Sequence, residues 1–181
     1  EAQKRHITNF LNLVNPYTGQ RYADEEAVAV WEIHNEHQLV KHALERGFDT
    51  WPAYFRDKLR QRWNRWLAER YGDEAGVIRA WGRLEPGELL GRGTVELGPL
   101  LGQREDFPKA RASDFVRFVV TLVGDYYVDL EAHARAQGTP GKGVAVVPFS
   151  YDTQFRHNIP WHYSAAGRAD VSNFGMYFWQ L

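Results

Sequence analysis

Three polar residues in succession, His34, Asn35 and Glu36, follow directly on an apolar run over residues 28–33. This run is rich in β-branched and aromatic residues and is apolar on both faces until its end, which is typical of a strand in a buried parallel sheet. Because side chains alternate along a strand, Glu32, His34 and Glu36 are predicted to share one face. Ligands of parallel α/β proteins bind where the strands end, so the exit of this strand is the predicted functional site. A carboxyl group there can donate or accept a proton.

The histidines near this exit raise a second possible chemistry, metal binding. The protein has seven histidines and no cysteine, and the candidate groups are His34 with His37, or His157 and His162 with Asp152. Neither group has the spacing of a recognised zinc site, since the His-Glu-x-x-His pattern and thiolate ligands are both lacking in the sequence. Hydrogen-bonded or solvated histidine is therefore the expectation, and neither a metal nor a cofactor is predicted.

The overall composition excludes several classes of partner. The 22 Lys and Arg residues balance 23 Asp and Glu residues and give a net charge of -1, so no broad electrostatic field attracts nucleic acid or anionic lipid. No apolar run approaches the roughly 18 residues that cross a bilayer, and we predict neither a nucleic-acid nor a membrane partner. The sequence starts inside an amphipathic pattern without a capping residue, which indicates a cut start. It indicates no compartment, because a chain without cysteine suits any location.

Long helical patterns alternate with short apolar runs along the chain. In order, we predict a helix that stops at the turn of residues 15–19, a strand over residues 28–33, helices over residues 55–71, 74–81 and 113–136, and strands over residues 144–149 and 171–179. The stretch 82–108 is predicted to be mainly loop with a brief extended piece at residues 94–97, and Ser113 is the predicted N-cap of the last helix. Strands that alternate with long helices indicate βαβ units and a parallel sheet.

Each long helix carries an apolar stripe at helical spacing. The stripe of the first helix runs from Ile7 to Val14, that of the 55–71 helix begins at Phe55, and that of the last helix runs from Phe115 to Leu130. The basic residues of the 55–71 helix are predicted to face water, because a nearly neutral chain gives little support to a phosphate-binding track.

Several motifs around the first predicted strand resemble one group of enzymes. They are Asn15-Pro16-Tyr17-Thr18-Gly19, Tyr22-Ala23-Asp24-Glu25, Val28-Ala29-Val30-Trp31-Glu32-Ile33-His34-Asn35-Glu36, Trp63-Asn64-Arg65-Trp66-Leu67, Tyr71-Gly72 and Ala80-Trp81. Together they resemble the fourth strand of clan A glycoside hydrolases and the segment after it, with the closest similarity to family 5-like enzymes. The resemblance covers about the third helix through the sixth strand of such enzymes. It implies an α/β fold of the (β/α)8 TIM-barrel type, incomplete, with about strands 4 to 6 and their helices in one partial domain over residues 1–181.

The resemblance also implies roles for the residues at the strand exit. Glu36 is the general acid/base, and Asn35 hydrogen-bonds the sugar hydroxyl next to the anomeric carbon, while His34 is a candidate partner for a sugar hydroxyl. Retaining enzymes need a second carboxylate about 5 Å away as nucleophile, whereas Glu32 lies about 13 Å back along an extended strand. A buried structural role is therefore expected for Glu32. In the resembling enzymes the nucleophile ends the seventh strand, and we expect this chain to stop before that strand.

Aromatic residues after the strands are candidates for sugar binding, because aromatic faces match the apolar C–H faces of pyranosides. In the resembling enzymes a tyrosine that closes the sixth strand contacts the nucleophile. Tyr177 corresponds to this tyrosine, although Gly175 stands where those enzymes frequently have a histidine. Core packing is the competing interpretation for Tyr177 and for each further stacking candidate. These candidates are Trp161, Tyr163, Trp179 and Trp51.

The leading hypothesis is a retaining glycoside hydrolase that cleaves a β-linked oligo- or polysaccharide, with the nucleophile outside this chain. The alternative is a non-catalytic carbohydrate-binding or scaffold barrel segment, which the missing second carboxylate favours. Three of eight strands leave two open sheet edges. We therefore expect residues outside this chain, a companion fragment or self-association to complete the barrel.

Overall fold

The computed structural model describes residues 1–37, 48–98, 108–138, 141–148 and 171–172. The chain divides into two compact units. Unit 1 comprises Glu1–Gln38 and Val120–Leu181, and unit 2 comprises Leu39–Val119. One long helix contributes residues to both units.

Unit 1 contains a parallel three-stranded sheet in the order β1, β2, β3. Strand β1 is Val30–His37, β2 is Gly143–Pro148, and β3 is Val171–Ser172. Strand β2 is rich in valine, and the first half of β1 contains Val30, Trp31 and Ile33. These residue types favour a pleated, half-buried backbone. The predicted α/β fold with parallel strands is therefore confirmed. Beyond residue 172, the rest of the last predicted strand lies outside the described residues.

Helix α1, Ala2–Leu11, covers part of the unit 1 core. Its Ile7 and Leu11 are buried. The predicted end of its stripe is wrong, because the helix ends at Leu11 and Val14 is exposed. The chain turns back before Pro16 can act as the stop: Val14 forms an antiparallel bridge with Arg21. The core that α1 joins consists of Ile7, Leu11, Ala23, Leu130, Ala134 and Val144.

The two faces of β1 differ in their surroundings up to Ile33. Trp31 and Ile33 pack against the unit 1 core, whereas Val30 and Glu32 are exposed. This alternation is the one expected of a strand with one covered face. The prediction that Glu32 is a buried structural carboxylate is wrong, because Glu32 is exposed while Trp31 and Ile33 on either side of it face the core.

Two helices of unit 2 agree with the apolar pattern. Helix α2 is Ala53–Tyr71 and helix α3 is Glu74–Trp81. Gly72 ends α2 with a positive φ of 81°, a conformation that glycine adopts without steric cost. Asp73 then caps α3, because its side chain accepts a hydrogen bond from the Gly76 backbone N–H at 2.8 Å.

The stripe of α2 is buried in its middle and exposed at its start. Leu59, Trp63 and Leu67 are buried, but Phe55, predicted to begin the stripe, is exposed. Among the basic residues of α2, the side chains of Lys58, Arg62 and Arg65 face water as predicted, while Arg56 and Arg60 are partly buried. Arg60 donates to Glu96 Oε1 at 2.7 Å and to Asp57 Oδ1 at 3.1 Å.

Residues 82–98, which follow α3, form a loop rather than an extended piece. It contains a short 3-10 helix, Leu90–Arg92, and no strand is formed over residues 94–97, contrary to the prediction. Val95 is fully buried there, and both of its backbone groups pair with the Asn64 side chain. The backbone of Val95 thus pairs with an amide side chain and not with a neighbouring strand.

Helix α4, Lys109–Ala136, begins four residues before the predicted cap Ser113. Proline fixes the backbone angle that a helix start requires, and the carbonyl of Pro108 accepts the first helical hydrogen bond from Ala112 N at 3.1 Å. The predicted stripe from Phe115 to Leu130 is correct at most positions, and the buried residues it omitted are Val116, Val123 and Tyr127. Within the described residues, no helix combines the length and the apolar character that a membrane span requires.

Candidate active site

The polar residues His34, Asn35 and Glu36 lie in the last half of β1. The strand extends to His37, so these residues are held by the sheet instead of following it as a loop. β1 pairs in parallel with β2, and His37 lies opposite Pro148 at the end of both strands. In parallel α/β folds this carboxyl edge is where ligands bind.

The regular alternation of β1 is interrupted on both sides of His34. Glu32 lies opposite Ala145 and His34 opposite Val146, so β1 has one residue more than β2 over this interval. A second irregularity separates His34 from His37. The prediction that Glu32, His34 and Glu36 share one face assumed strict alternation, and this strand does not alternate strictly. Bulges of this kind are common beside active sites, because they change the direction of a side chain.

The turn before β1 lies at the opposite end of the strand from Glu36. Glu25 accepts hydrogen bonds from the Asn15 side chain at 2.8 Å and from the Thr18 hydroxyl. The Lys142 ammonium, next to the start of β2, donates to the Glu25 backbone carbonyl. These bonds fix the entry of the chain into β1, at the end of the strand away from the carboxyl edge, and they make the turn a structural element.

A buried ion pair organises the loop of unit 2. Both oxygens of Glu88 accept from the Arg111 guanidinium, at 2.6 and 2.7 Å, and they also accept from the backbone N–H groups of Glu85 and Glu96 at 2.9 Å. Burial is the largest influence on the pKa of Glu88 and raises it, but the hydrogen bonds from Arg111 and the two backbone groups together bring this pKa below its ordinary value. The Arg111 guanidinium also lies 5.1 Å from the centre of the Trp81 ring.

A second buried carboxylate, Asp114, holds two aromatic residues of the family-like motifs. It accepts from Trp81 Nε1 at 2.8 Å and from the Tyr71 hydroxyl, and Arg70 lies 3.5 Å away. Burial, followed by the hydrogen bond to Asp114, raises the pKa of Tyr71. Tyr71 and Trp81 are thus fixed inside unit 2 by their polar atoms, and their roles there are structural.

These buried polar residues were not identified from the sequence, although a signal for them exists. Arg111 and Asp114 lie at helical spacing with the buried Phe115 and Phe118, so two charged residues occupy the apolar stripe of α4. Charged residues are almost never fully buried unless they are paired. Charges within the apolar stripe of a helix therefore predict that buried partners exist, although the spacing does not say which residues they are.

The structure describes only one of the aromatic residues that were predicted to bind sugar. Trp51 is half-buried, with its ring centre 5.2 Å from that of Phe48. The side chains of His34, Asn35 and Glu36 are not described beyond their backbone positions in β1. Among the described residues, no cluster of three or more potential ligands could hold a metal ion. The predicted site residues that lie outside the described residues are Trp161, Tyr163, Tyr177 and Trp179.

Comparison with known proteins identifies the family. Residues 4–140 match the glycoside hydrolase 42 family, described as β-galactosidase. The match spans about three quarters of the chain and includes Asn35 and Glu36. The chain therefore belongs to this family of glycoside hydrolases, and the resemblance to clan A enzymes is confirmed. No curated protein matches the sequence significantly.

A solved structure agrees with the family at the level of the fold. The chain resembles the crystal structure of β-galactosidase from the psychrophilic Marinomonas ef1, with a TM-score of 0.62 and 21% sequence identity. The alignment covers 96% of this chain and 23% of that chain. The chain thus spans about a quarter of the length of that β-galactosidase, and at this identity the likeness concerns the fold alone.

Proposed function

We propose that the protein acts as part of a retaining β-galactosidase, with Glu36 as general acid/base. One observation carries the proposal: the Asn35-Glu36 pair lies at the carboxyl end of a parallel strand, inside the segment that matches the β-galactosidase family. The choice of a β-galactoside as substrate rests on the activity for which that family is described and on the similar solved structure, which is that of a β-galactosidase.

The chemistry requires two carboxyl groups with different tasks. In the first step Glu36 protonates the glycosidic oxygen while a second carboxylate attacks the anomeric carbon, and the bond to the leaving group breaks. In the second step Glu36, now ionised, takes a proton from water, which displaces the carboxylate and releases the sugar. Asn35 is assigned the hydrogen bond to the hydroxyl next to the anomeric carbon. No cofactor takes part in this scheme.

The second carboxylate is assigned to a position outside this chain. Glu32 is exposed, and four strand residues separate it from Glu36, about 13 Å in extended backbone, against the roughly 5 Å that retention requires. Asp152 and the residues after Ser172 lie outside the described residues. We assign the nucleophile to a later strand of a complete barrel.

The proposed barrel is larger than the sheet of unit 1. We propose that residues 1–181 form part of a single (β/α)8 domain, with β1 to β3 as strands 4 to 6 and unit 2 as a long insertion after β1. The remaining strands come from further residues of the polypeptide, a companion fragment or self-association. The exposure of Val30 on β1 and the 23% coverage of the solved β-galactosidase support this. A protein that sediments as a monomer of 21.0 kDa and unfolds cooperatively on heating would contradict this proposal.

Further contacts with the sugar are assigned to residues at the same edge. His34 is proposed to bind a sugar hydroxyl, Trp161, Tyr163 and Trp179 to stack on sugar rings, and Tyr177 to contact the nucleophile. These roles are taken from the sequence resemblance. The ligand that the residues are proposed to bind is an oligo- or polysaccharide that ends in a β-linked galactose.

The sharpest test is a leaving-group comparison on the protein with its complete barrel. Glu36→Gln should lower kcat for lactose and for phenyl β-galactoside by about 10²–10⁴-fold, because the poor leaving group is no longer protonated. A dinitrophenyl β-galactoside, whose leaving group departs without protonation, should keep a fast first step, and azide should restore turnover by replacing the water that Glu36 no longer activates. Glu32→Gln is the matched control on the same strand, and it should keep parental activity.

The outcome also decides between an enzyme and a binding protein. Equal hydrolysis by Glu36→Gln and the parent would refute the assignment of Glu36. The alternative function is that of a non-catalytic carbohydrate-binding or scaffold segment. It predicts that parent and variant bind oligosaccharide equally and that neither hydrolyses any galactoside.

A further inference from the structure

We draw no further inference here: the strongest candidate, the buried side-chain cluster of Glu88, Arg111 and Asp114 in unit 2, bonds to the loop and the helices of that unit through the structural contacts already described, and nothing among the described residues points to a ligand for it.

Discussion

Asn64 shows how one side chain replaces an element of secondary structure. It lies among the buried residues of α2, and its amide donates to Val95 O at 2.8 Å while accepting from Val95 N at 3.0 Å. It also donates to Arg60 O at 2.8 Å. Buried backbone groups need partners, and the loop at Val95 finds both of them in one amide. Within the Trp-Asn-Arg-Trp-Leu motif, Asn64 is thus a structural residue of unit 2.

Asn64→Ala should lower the free energy of unfolding by about 2–4 kcal/mol, because the N–H and C=O of fully buried Val95 lose their partners. Urea denaturation followed by tryptophan fluorescence measures the change. Gln61→Ala is the control on the same helix: Gln61 is exposed, and the expected change is within about 0.5 kcal/mol. Similar midpoints for both variants would contradict this account of Val95.

At the scale of the elements, the connection between α2 and α3 is set by close approach of the backbone. Gly76 lies in the first turn of α3, and a Cβ built on it would lie 2.2 Å from the Tyr71 backbone carbonyl oxygen. The N–H of Gly76 is also the one that Asp73 caps. Glycine at this position therefore permits the tight succession of two helices with only Gly72 and Asp73 between them.

Gly76→Ala should lower the free energy of unfolding by about 1–3 kcal/mol, since either helix must shift to relieve the overlap. Gly91→Ala is a suitable control, because its nearest neighbour, Glu74 Oε1, lies at an ordinary 3.9 Å and its φ is not positive. We expect that substitution to be neutral or slightly stabilising. If thermal unfolding gives the same midpoint for both variants, the close approach does not constrain the turn.

Strand β1 illustrates a second feature at this scale. Its two irregularities against β2 fall on either side of His34, and the strand is regular before them, with Trp31 and Ile33 facing the core. The regular part joins the sheet to its helices. The irregular part carries Asn35 and Glu36, the two residues to which the proposed function assigns sugar binding and proton transfer. Bulges are common beside active sites.

For the molecule as a whole, acid stability should depend on the ion pair between Glu88 and Arg111. The pKa of Glu88 lies below its ordinary value in the folded protein, so the folded state binds this proton less readily than the unfolded chain. The stabilisation is complete above the unfolded pKa, near 4.5, and is lost as the pH falls through the lower folded pKa. Removal of one partner alone would leave a buried charge unpaired.

Urea unfolding between pH 3 and pH 7 tests this expectation. The parent should lose stability steeply below about pH 4.5, whereas the double variant Glu88→Gln with Arg111→Met should show a shallower slope over the same interval. Asp24→Asn serves as control. The Arg21 guanidinium lowers the pKa of Asp24 through their hydrogen bond, but this pair is exposed, and exposed pairs contribute little. An unchanged acid slope in the double variant would contradict the role of Glu88.

Local pattern was sufficient for several features of the protein. The apolar run before His34 predicted β1, helical spacing predicted α2, α3 and most of α4, and the motifs around them identified a clan A glycoside hydrolase. These features depend on periodicity and on short stretches of sequence, which neighbouring residues specify by themselves. The order of strands and helices then limited the fold to a parallel α/β arrangement.

Contacts between distant residues decided the remainder. The exposure of Glu32 and Phe55 depends on what covers each face, and the bulges beside His34 depend on the pairing with β2, more than a hundred residues further along the chain. The loop at Val95 is fixed by Asn64, and Glu88 by Arg111. Sequence spacing carries no information about such partners, because hydrogen bonding and burial are satisfied in three dimensions. The sequence therefore determined the family and the positions of its motifs, and the tertiary structure determined the register and the surroundings in which those residues lie.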